Sequence, residues 1–168
     1  MNSNLKIIAA VARNGAIGLN NRLLYWLPND MKRFRQLTTG NTIIMGRNTF
    51  DSLPKGALPN RRNVVLSTTV NELPGCDVYP SLQEALDSCS DDDSVYVIGG
   101  ARVYAEAMPL ATQLCLTEVD DTPEDADAFF PDYSQWSETW RENHVADERH
   151  AFAYSFVDYT LSPNDKTL

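Results

Sequence analysis

The segment from Leu27 to Leu37 carries the side chain best placed to do chemistry. At about 100° per residue along a helix, Asp30 shares its face with Phe34 and Leu37 and is the only ionisable group there. A carboxylate turned inward is costly unless it is paired, protonated or used. Asp30 is therefore either a site carboxylate, suited to a protonated nitrogen heterocycle or to proton transfer, or a first-turn acid that interacts with the helix macrodipole. The residue pattern leaves both interpretations open.

Two strand-to-helix junctions combine glycine with arginine. Gly46 and Arg47 follow the apolar run Ile43-Ile44-Met45, and Gly99-Gly100-Ala101-Arg102 follows Val97-Ile98. Glycine lets the backbone approach a ligand, a helix start offers N–H groups to phosphate, and arginine binds phosphate with two parallel hydrogen bonds. Neither junction matches G-x-G-x-x-G or the P-loop. The pair predicts a phosphate-rich ligand at the carboxyl ends of parallel strands.

The remaining candidate residues give weaker evidence for a binding or metal site. The basic loop Pro54–Arg62 is suited to a substrate carboxylate, but Lys55 and Arg62 are individually more typical of a solvated turn. His144 and His150 have no metal-ligand spacing, so no metal site is predicted.

The elements that must position these residues alternate along the chain. Short apolar runs predict strands at Leu5–Ala12, Thr42–Met45, Asn63–Ser67, Ser94–Ile98 and Leu114–Val119. Helices are expected over Pro28–Leu37, from the capping box at Ser81 to about Cys89, and over Ala101–Met108. Glu138–Val145 and His150–Leu161 predict an antiparallel edge hairpin. The fold class is therefore α/β, with a central, mostly parallel sheet and helices on both faces.

Composition limits the class of protein. The 168 residues carry a net charge of −9 and suit one domain, here residues 1–161 followed by a loose tail at 162–168. Residues 1–84 hold 10 Lys and Arg against 5 Asp and Glu, whereas residues 85–168 hold 4 against 18. The acidic balance disfavours nucleic acid, and no apolar run is long enough for a membrane span. Three widely spaced cysteines indicate a reducing compartment, so we expect a cytoplasmic protein.

Ordered blocks along most of the chain resemble those of a known family. They are Ile8-Ala9-Ala10-Val11-Ala12 with Ile17-Gly18, Leu27-Pro28 with Asp30 and Phe34, Ile44-Met45-Gly46-Arg47 with Thr49, Leu58-Pro59-Asn60-Arg61, Val97-Ile98-Gly99-Gly100 with Tyr104, Thr117, and Phe130-Pro131. In this order and spacing they resemble the bacterial dihydrofolate reductases, from Leu5 to about Leu161.

The resemblance implies NADPH-dependent reduction of 7,8-dihydrofolate, with hydride transfer to C6 and with N5 protonation promoted by a carboxylate. It places Asp30, Tyr25 and Leu23 at the catalytic centre. It implies substrate contacts from Ile8, Asp30, Met31, Phe34, Leu53, Leu58, Arg61 and Thr117. It implies cofactor contacts from Ala10, Ile17, Gly18, Gly46, Arg47, Thr49, Ser67, Thr68, Ile98, Gly99, Gly100, Arg102, Val103 and Tyr104. The segment Arg13–Trp26 would be a mobile loop that closes over the nicotinamide.

The sequence also departs from the family pattern. Tyr25 stands where relatives carry a tryptophan that helps to hold an ordered water, and either its hydroxyl or a turned Trp26 would take that role. Leu23 replaces a methionine found in many relatives, which is a tolerable apolar exchange. The acidic loop before Phe130 is longer than expected, which leaves the alignment of Asp127 open.

The resemblance further implies a monomer that binds antifolate inhibitors. Two alternatives remain at this point. A riboflavin-pathway reductase of the same fold would act on a phosphoribosyl-aminopyrimidine, and a non-catalytic nucleotide-binding module would need no carboxylate at Asp30. Asp30 together with Arg61 favours a pterin-glutamate substrate.

Overall fold

The computed structural model describes residues 4–20, 22–25 and 27–161. The strands of the large sheet are β1 (Leu5–Ala12), β4 (Thr42–Gly46), β5 (Arg62–Leu66), β6 (Cys76–Tyr79), β7 (Val95–Gly99), β8 (Gln113–Val119), β10 (Ser137–His144) and β11 (Tyr154–Thr160). Three short strands, β2 (Ala16–Leu19), β3 (Arg22–Leu23) and β9 (Ala128–Phe129), form a second sheet. The helices are α1 (Pro28–Thr38), α2 (Arg47–Asp51), α3 (Leu82–Asp87) and α4 (Ala101–Ala107). Trp26 and the expected tail at 162–168 lie outside the described residues.

The large sheet has the strand order β10-β11-β8-β1-β7-β4-β5-β6. β1 is parallel to both of its neighbours, β7 and β8, and the parallel pairing continues through β4, β5 and β6. β11 is antiparallel to β8, and β10 pairs with β11 as the edge strand. The structure thus confirms the mostly parallel sheet with an antiparallel hairpin at one edge.

Alternate residues of the central strands pack on opposite faces of the sheet, because strand side chains have a period of two. Ile44 and Val64 join a buried cluster with Val103 of α4. Their neighbours Ile43 and Val65 join the cluster that contacts α1. The predicted helices on both faces are therefore confirmed, with α3 and α4 on one face and α1 on the other.

Local sequence accounts for the helix starts. The hydroxyl Oγ of Ser81 accepts a hydrogen bond from the Glu84 N–H at 3.1 Å, so the predicted cap of α3 is present. Pro28 is the first residue of α1, where its missing N–H costs nothing. Asp30 consequently lies in the first turn of α1.

Two predicted segments differ from the structure. The segment Arg13–Trp26, expected to be a loop, contains β2 and β3, and β2 pairs with β9. The expected strand from His150 to Leu161 begins only at Tyr154. The backbone groups of His150 instead pair with Asp147 in a local bridge, so they do not continue the ladder with β10.

In the part of the chain that the structure describes, no helix combines the length and the apolar character needed to cross a bilayer. Cys76, Cys89 and Cys115 are free, and Cys115 is buried.

Candidate functional site

A cleft of about 1290 Å³ opens where β4 and β7 end. These strands are parallel neighbours, and each ends in glycine at the start of a helix, Gly46 before α2 and Gly99-Gly100 before α4. The topology therefore brings the two glycine junctions to one edge of the sheet, as expected for a ligand site in an α/β fold.

Asp30 lies in the wall of this cleft, and its carboxyl group is hydrogen-bonded to a residue of β8. The hydroxyl Oγ1 of Thr117 donates to Asp30 Oδ1 at 2.5 Å, and Thr117 itself is buried. Burial raises the pKa of the Asp30 carboxyl above its ordinary value, while the Thr117 hydrogen bond and the charge of Arg33 act in the opposite direction. The site thus holds a carboxyl group that retains its proton to higher pH than an exposed one.

Every other residue that the resemblance assigned to the site also lines the cleft, except Thr117, which lies behind Asp30. The substrate group comprises Ile8, Met31, Phe34, Leu53, Leu58 and Arg61. The cofactor group comprises Ala10, Ile17, Gly18, Gly46, Arg47, Thr49, Ser67, Thr68, Ile98, Gly99, Gly100, Arg102, Val103 and Tyr104.

The backbone at the glycine junctions packs too closely against its neighbours to admit a side chain without a shift. Gly99 has φ +138°, and a Cβ there would lie 3.1 Å from Oγ1 of Thr49. A Cβ on Gly46 would lie 3.3 Å from Cγ2 of Val103. The glycine backbone lines the cleft beside the starts of two helices, which suits the pyrophosphate of a dinucleotide, so these residues fit the cofactor that the resemblance implies.

The two junction arginines each contact an acid on their own helix. Arg47 Nε lies 3.0 Å from Asp51 Oδ1, and Arg102 Nε lies 3.6 Å from Glu106 Oε1. The Arg102 side chain is 91% exposed, so its pair is weakly held. Both guanidinium groups line the cleft and carry further N–H donors that a phosphate can engage.

Arg61 is held in place at the opposite part of the cleft. Its Nε donates to the carbonyl of Pro59 at 2.9 Å, and Nη1 donates to Oγ1 of Thr38 at 3.2 Å. Burial and the nearby charge of Arg35 lower the pKa of the Arg61 guanidinium. A cation that is partly desolvated and lies beside another cation is suited to an anionic partner such as a carboxylate.

Tyr25 and Leu23 lie in the same cleft but in different settings. The Tyr25 ring is buried and contacts Phe152 edge-on, while its hydroxyl donates to Asp121 Oδ2 at 2.9 Å. Burial and this carboxylate raise the pKa of the Tyr25 hydroxyl. Leu23 is 67% exposed. The Tyr25 hydroxyl is thus engaged by the loop after β8, and Trp26, the alternative residue for holding a water, lies outside the described residues.

Sequence reasoning missed several residues that line the cleft. They include Arg35, Asn48, Thr69, Ser81 and Asp127. Ser81 was identified only as a helix cap, and its position in the cleft depends on the strand order. Asp127 accepts a hydrogen bond from the Asn20 N–H at 3.0 Å, so the acidic loop does contact the segment after β2.

The two histidines pack against one aromatic ring, and in the described ranges no group of three His, Cys, Asp or Glu side chains is placed so that it could hold a metal ion. His144 stacks on Tyr154 with 4.9 Å between ring centroids, and His150 contacts the same ring.

Known proteins are similar to this chain in sequence and in fold. The family model described as dihydrofolate reductase matches residues 4–161. Dihydrofolate reductase type 3 of Salmonella typhimurium is 41% identical over 94% of this chain and 97% of its own. The Bacillus subtilis dihydrofolate reductase is 37% identical over 96% and 97%. A solved structure of dihydrofolate reductase from Enterococcus faecalis complexed with NADP(H) and RAB-propyl superposes with a TM-score of 0.85 at 32% identity, covering 95% and 97% of the two chains.

Proposed function

The chain belongs to the dihydrofolate reductase family, and from that premise we propose that Asp30 is the residue through which it binds and activates its substrate. The protein catalyses the NADPH-dependent reduction of dihydrofolate to tetrahydrofolate. This activity replaces the two alternatives considered from sequence, an aminopyrimidine reductase and a non-catalytic nucleotide-binding module.

The observation that carries the proposal is the position of Asp30 in the cleft wall, bonded to Thr117 at 2.5 Å. As the carboxylate, Asp30 accepts hydrogen bonds from the 2-amino and N3 groups of the pteridine ring. Thr117 fixes the rotation of that carboxylate, which orients the ring in turn. Ile8, Met31 and Phe34 exclude bulk water around the flat ring, which strengthens these hydrogen bonds.

The proton needed at N5 reaches the substrate from water, and Asp30 promotes that transfer by raising the basicity of N5. NADPH supplies the hydride when it is bound. Arg47, Thr68 and Arg102 hold the adenosine 2′-phosphate, and Thr49 and the two glycine junctions hold the pyrophosphate. Arg61, oriented by Thr38, binds the α-carboxylate of the glutamate.

The test is the isosteric change Asp30→Asn, with Asp92→Asn as a matched control on an exposed acid outside the cleft. We expect Asp30→Asn to lower steady-state turnover at neutral pH about 100-fold or more. Turnover should recover in part in acid, where the substrate acquires its proton from solvent. NADPH affinity, measured by fluorescence titration, should stay within about twofold of the parent. Unchanged neutral-pH turnover in Asp30→Asn would remove this residue from the mechanism.

We also propose that residues 1–161 act as one domain, that the protein works as a monomer, and that it does so in the cytoplasm. The support for a single domain is that one large sheet runs from Leu5 to Thr160 and that the cleft is lined by residues from Ile8 to Ala128. Sedimentation of the pure protein measures the oligomeric state, and a chain truncated after Leu161 tests the domain boundary.

A further inference from the structure

The first turn of α1, which carries Asp30, has an unusual capping partner. The residue before the helix, Leu27, has no side chain able to cap, and Pro28 has no N–H to donate. The next backbone N–H, that of Asn29, donates to Nε2 of His150 at 3.2 Å, across 121 residues of sequence. A histidine from the loop before β11 thus takes the acceptor role that serine or aspartate ordinarily supplies.

The hydrogen-bond network fixes the chemical form of His150. Since Nε2 accepts from the helix, the ring proton resides on Nδ1, which lies 2.8 Å from Oδ1 of Asp147. The His150 side chain is 2% exposed, and the backbone groups of the two residues bond to each other at 2.9 and 3.2 Å. Asp147 therefore orients the imidazole, and the imidazole orients the helix start.

Asn29 makes a second hydrogen bond, through its side chain, that also anchors the start of α1. Nδ2 of Asn29 donates to the Tyr154 hydroxyl at 2.6 Å, and the Tyr154 ring lies 4.9 Å from that of His150. Asn29 immediately precedes Asp30, so one peptide unit separates this anchor from the carboxylate in the cleft. Thr117, the partner of that carboxylate, belongs to β8 and not to α1.

We propose that His150, oriented by Asp147, is a positioning residue that sets the place of Asp30 relative to Thr117 by capping α1. This inference rests on the role given to Asp30 above. Without the cap the first turn of α1 frays, and the carboxylate loses part of its enclosure and its alignment with the Thr117 hydroxyl. The glycine junctions of β4 and β7 lie on other elements, so cofactor binding does not depend on this cap.

The test compares His150→Phe, which keeps a planar ring without an acceptor, with His150→Gln, which restores an acceptor oxygen. His144→Phe is the matched control, because His144 contacts the same Tyr154 ring but belongs to β10. We expect His150→Phe to raise the KM for dihydrofolate about fivefold, the factor that corresponds to an ordinary cap. The pH profile of hydride transfer should move toward lower pH as Asp30 becomes more hydrated. His150→Gln should recover part of both effects, and NADPH affinity should stay within about twofold in all variants.

Asp147→Ala, at a half-exposed position, repeats the test where His150→Phe fails to fold, and it should change the KM and the pH profile in the same direction. A purely structural residue would lower the melting temperature and leave the KM and pH profile unchanged, and that result overturns the proposal.

Asp30→Asn is measured in parallel. Unchanged neutral-pH turnover in Asp30→Asn overturns both this inference and the proposed function. Loss of turnover in Asp30→Asn, with parental KM and pH profile in the two cap variants, overturns the positioning role alone.

Discussion

At the scale of single residues, the buried position of the Asp30 carboxyl favours ligand binding and lowers the stability of the folded protein. Burial raises its pKa, because the charged form is less favourable in the folded protein than in the unfolded chain. Thr117 and Arg33 offset only part of this cost, because the net shift is upward. Such a cost is typical of a binding site whose ligand supplies the missing hydrogen bonds.

The pH dependence of stability follows from the sign of that shift. A carboxyl with a raised folded-state pKa stabilises the protein below its unfolded pKa, and this contribution is lost as pH rises through the folded value. In the absence of ligands, Asp30→Asn should therefore raise the melting temperature at neutral pH by about 3 °C. The gain should vanish in acid below the ordinary range for aspartate. Calorimetry across pH checks this, and an equal gain at every pH would contradict the ionisation argument.

Sequence could identify Asp30 but not its surroundings. Its inward position followed from helical periodicity, because the residues that define the face lie within one helix. Thr117 is 87 residues from Asp30, and only the resemblance indicated that the two interact. His150 is 121 residues from Asn29, and nothing in the sequence indicated that contact. Tyr25, which the resemblance assigned to the site, lines the cleft, but its bond to Asp121 depends on how the loop after β8 folds.

At the scale of elements, the two glycine junctions require close packing between β4 and α4. A Cβ on Gly46 would lie 3.3 Å from Cγ2 of Val103, so an alanine there requires the two elements to separate by a few tenths of an ångström. Both residues line the cofactor side of the cleft, which couples the stability of this contact to the shape of the site.

Gly46→Ala should therefore lower the free energy of unfolding by about 1 kcal/mol and weaken NADPH binding. Adding Val103→Ala to Gly46→Ala makes space for the new methyl group and should restore part of the loss. A double-mutant cycle of urea unfolding measures the coupling between the two positions. Additive effects of the two substitutions would show that the contact does not restrict the junction.

The elements that sequence predicted best are the long apolar ones. β1, β4, β7 and β8 are largely buried apolar runs bounded by turn residues, so their composition identified them within one or two residues. β2, β3 and β9 are two to four residues long and depend on pairing with one another, a tertiary effect that propensity does not contain. The same limit explains why the sequence did not predict α2, which is a helix of only five residues.

At the scale of the whole molecule, the charge asymmetry along the sequence becomes an asymmetry across the sheet. The acidic second half of the chain supplies β8, β11 and β10 at one edge, and the basic first half supplies β4, β5 and β6 at the other. Like charges at the acidic edge repel one another, and the basic edge favours an anionic ligand.

Matched substitutions of exposed glutamates at the two edges test this asymmetry. Glu148→Gln removes an exposed charge from the loop that joins the edge strands β10 and β11, and it should raise the melting temperature at about 20 mM salt by about 1 °C. The gain should disappear near 0.5 M salt, where screening acts over only a few ångströms. Glu72→Gln, between β5 and β6, should give no gain at either salt concentration. Equal gains from both variants would show that the edges do not differ electrostatically.

The central place of β1 has a consequence for how the protein is made. β1 precedes the other described strands in the sequence, yet both of its neighbours, β7 and β8, are translated after α3. The helix that carries Asp30 is likewise synthesised long before Thr117 and His150, which hold its first turn. A nascent chain therefore cannot hold this helix start in place until translation has passed His150.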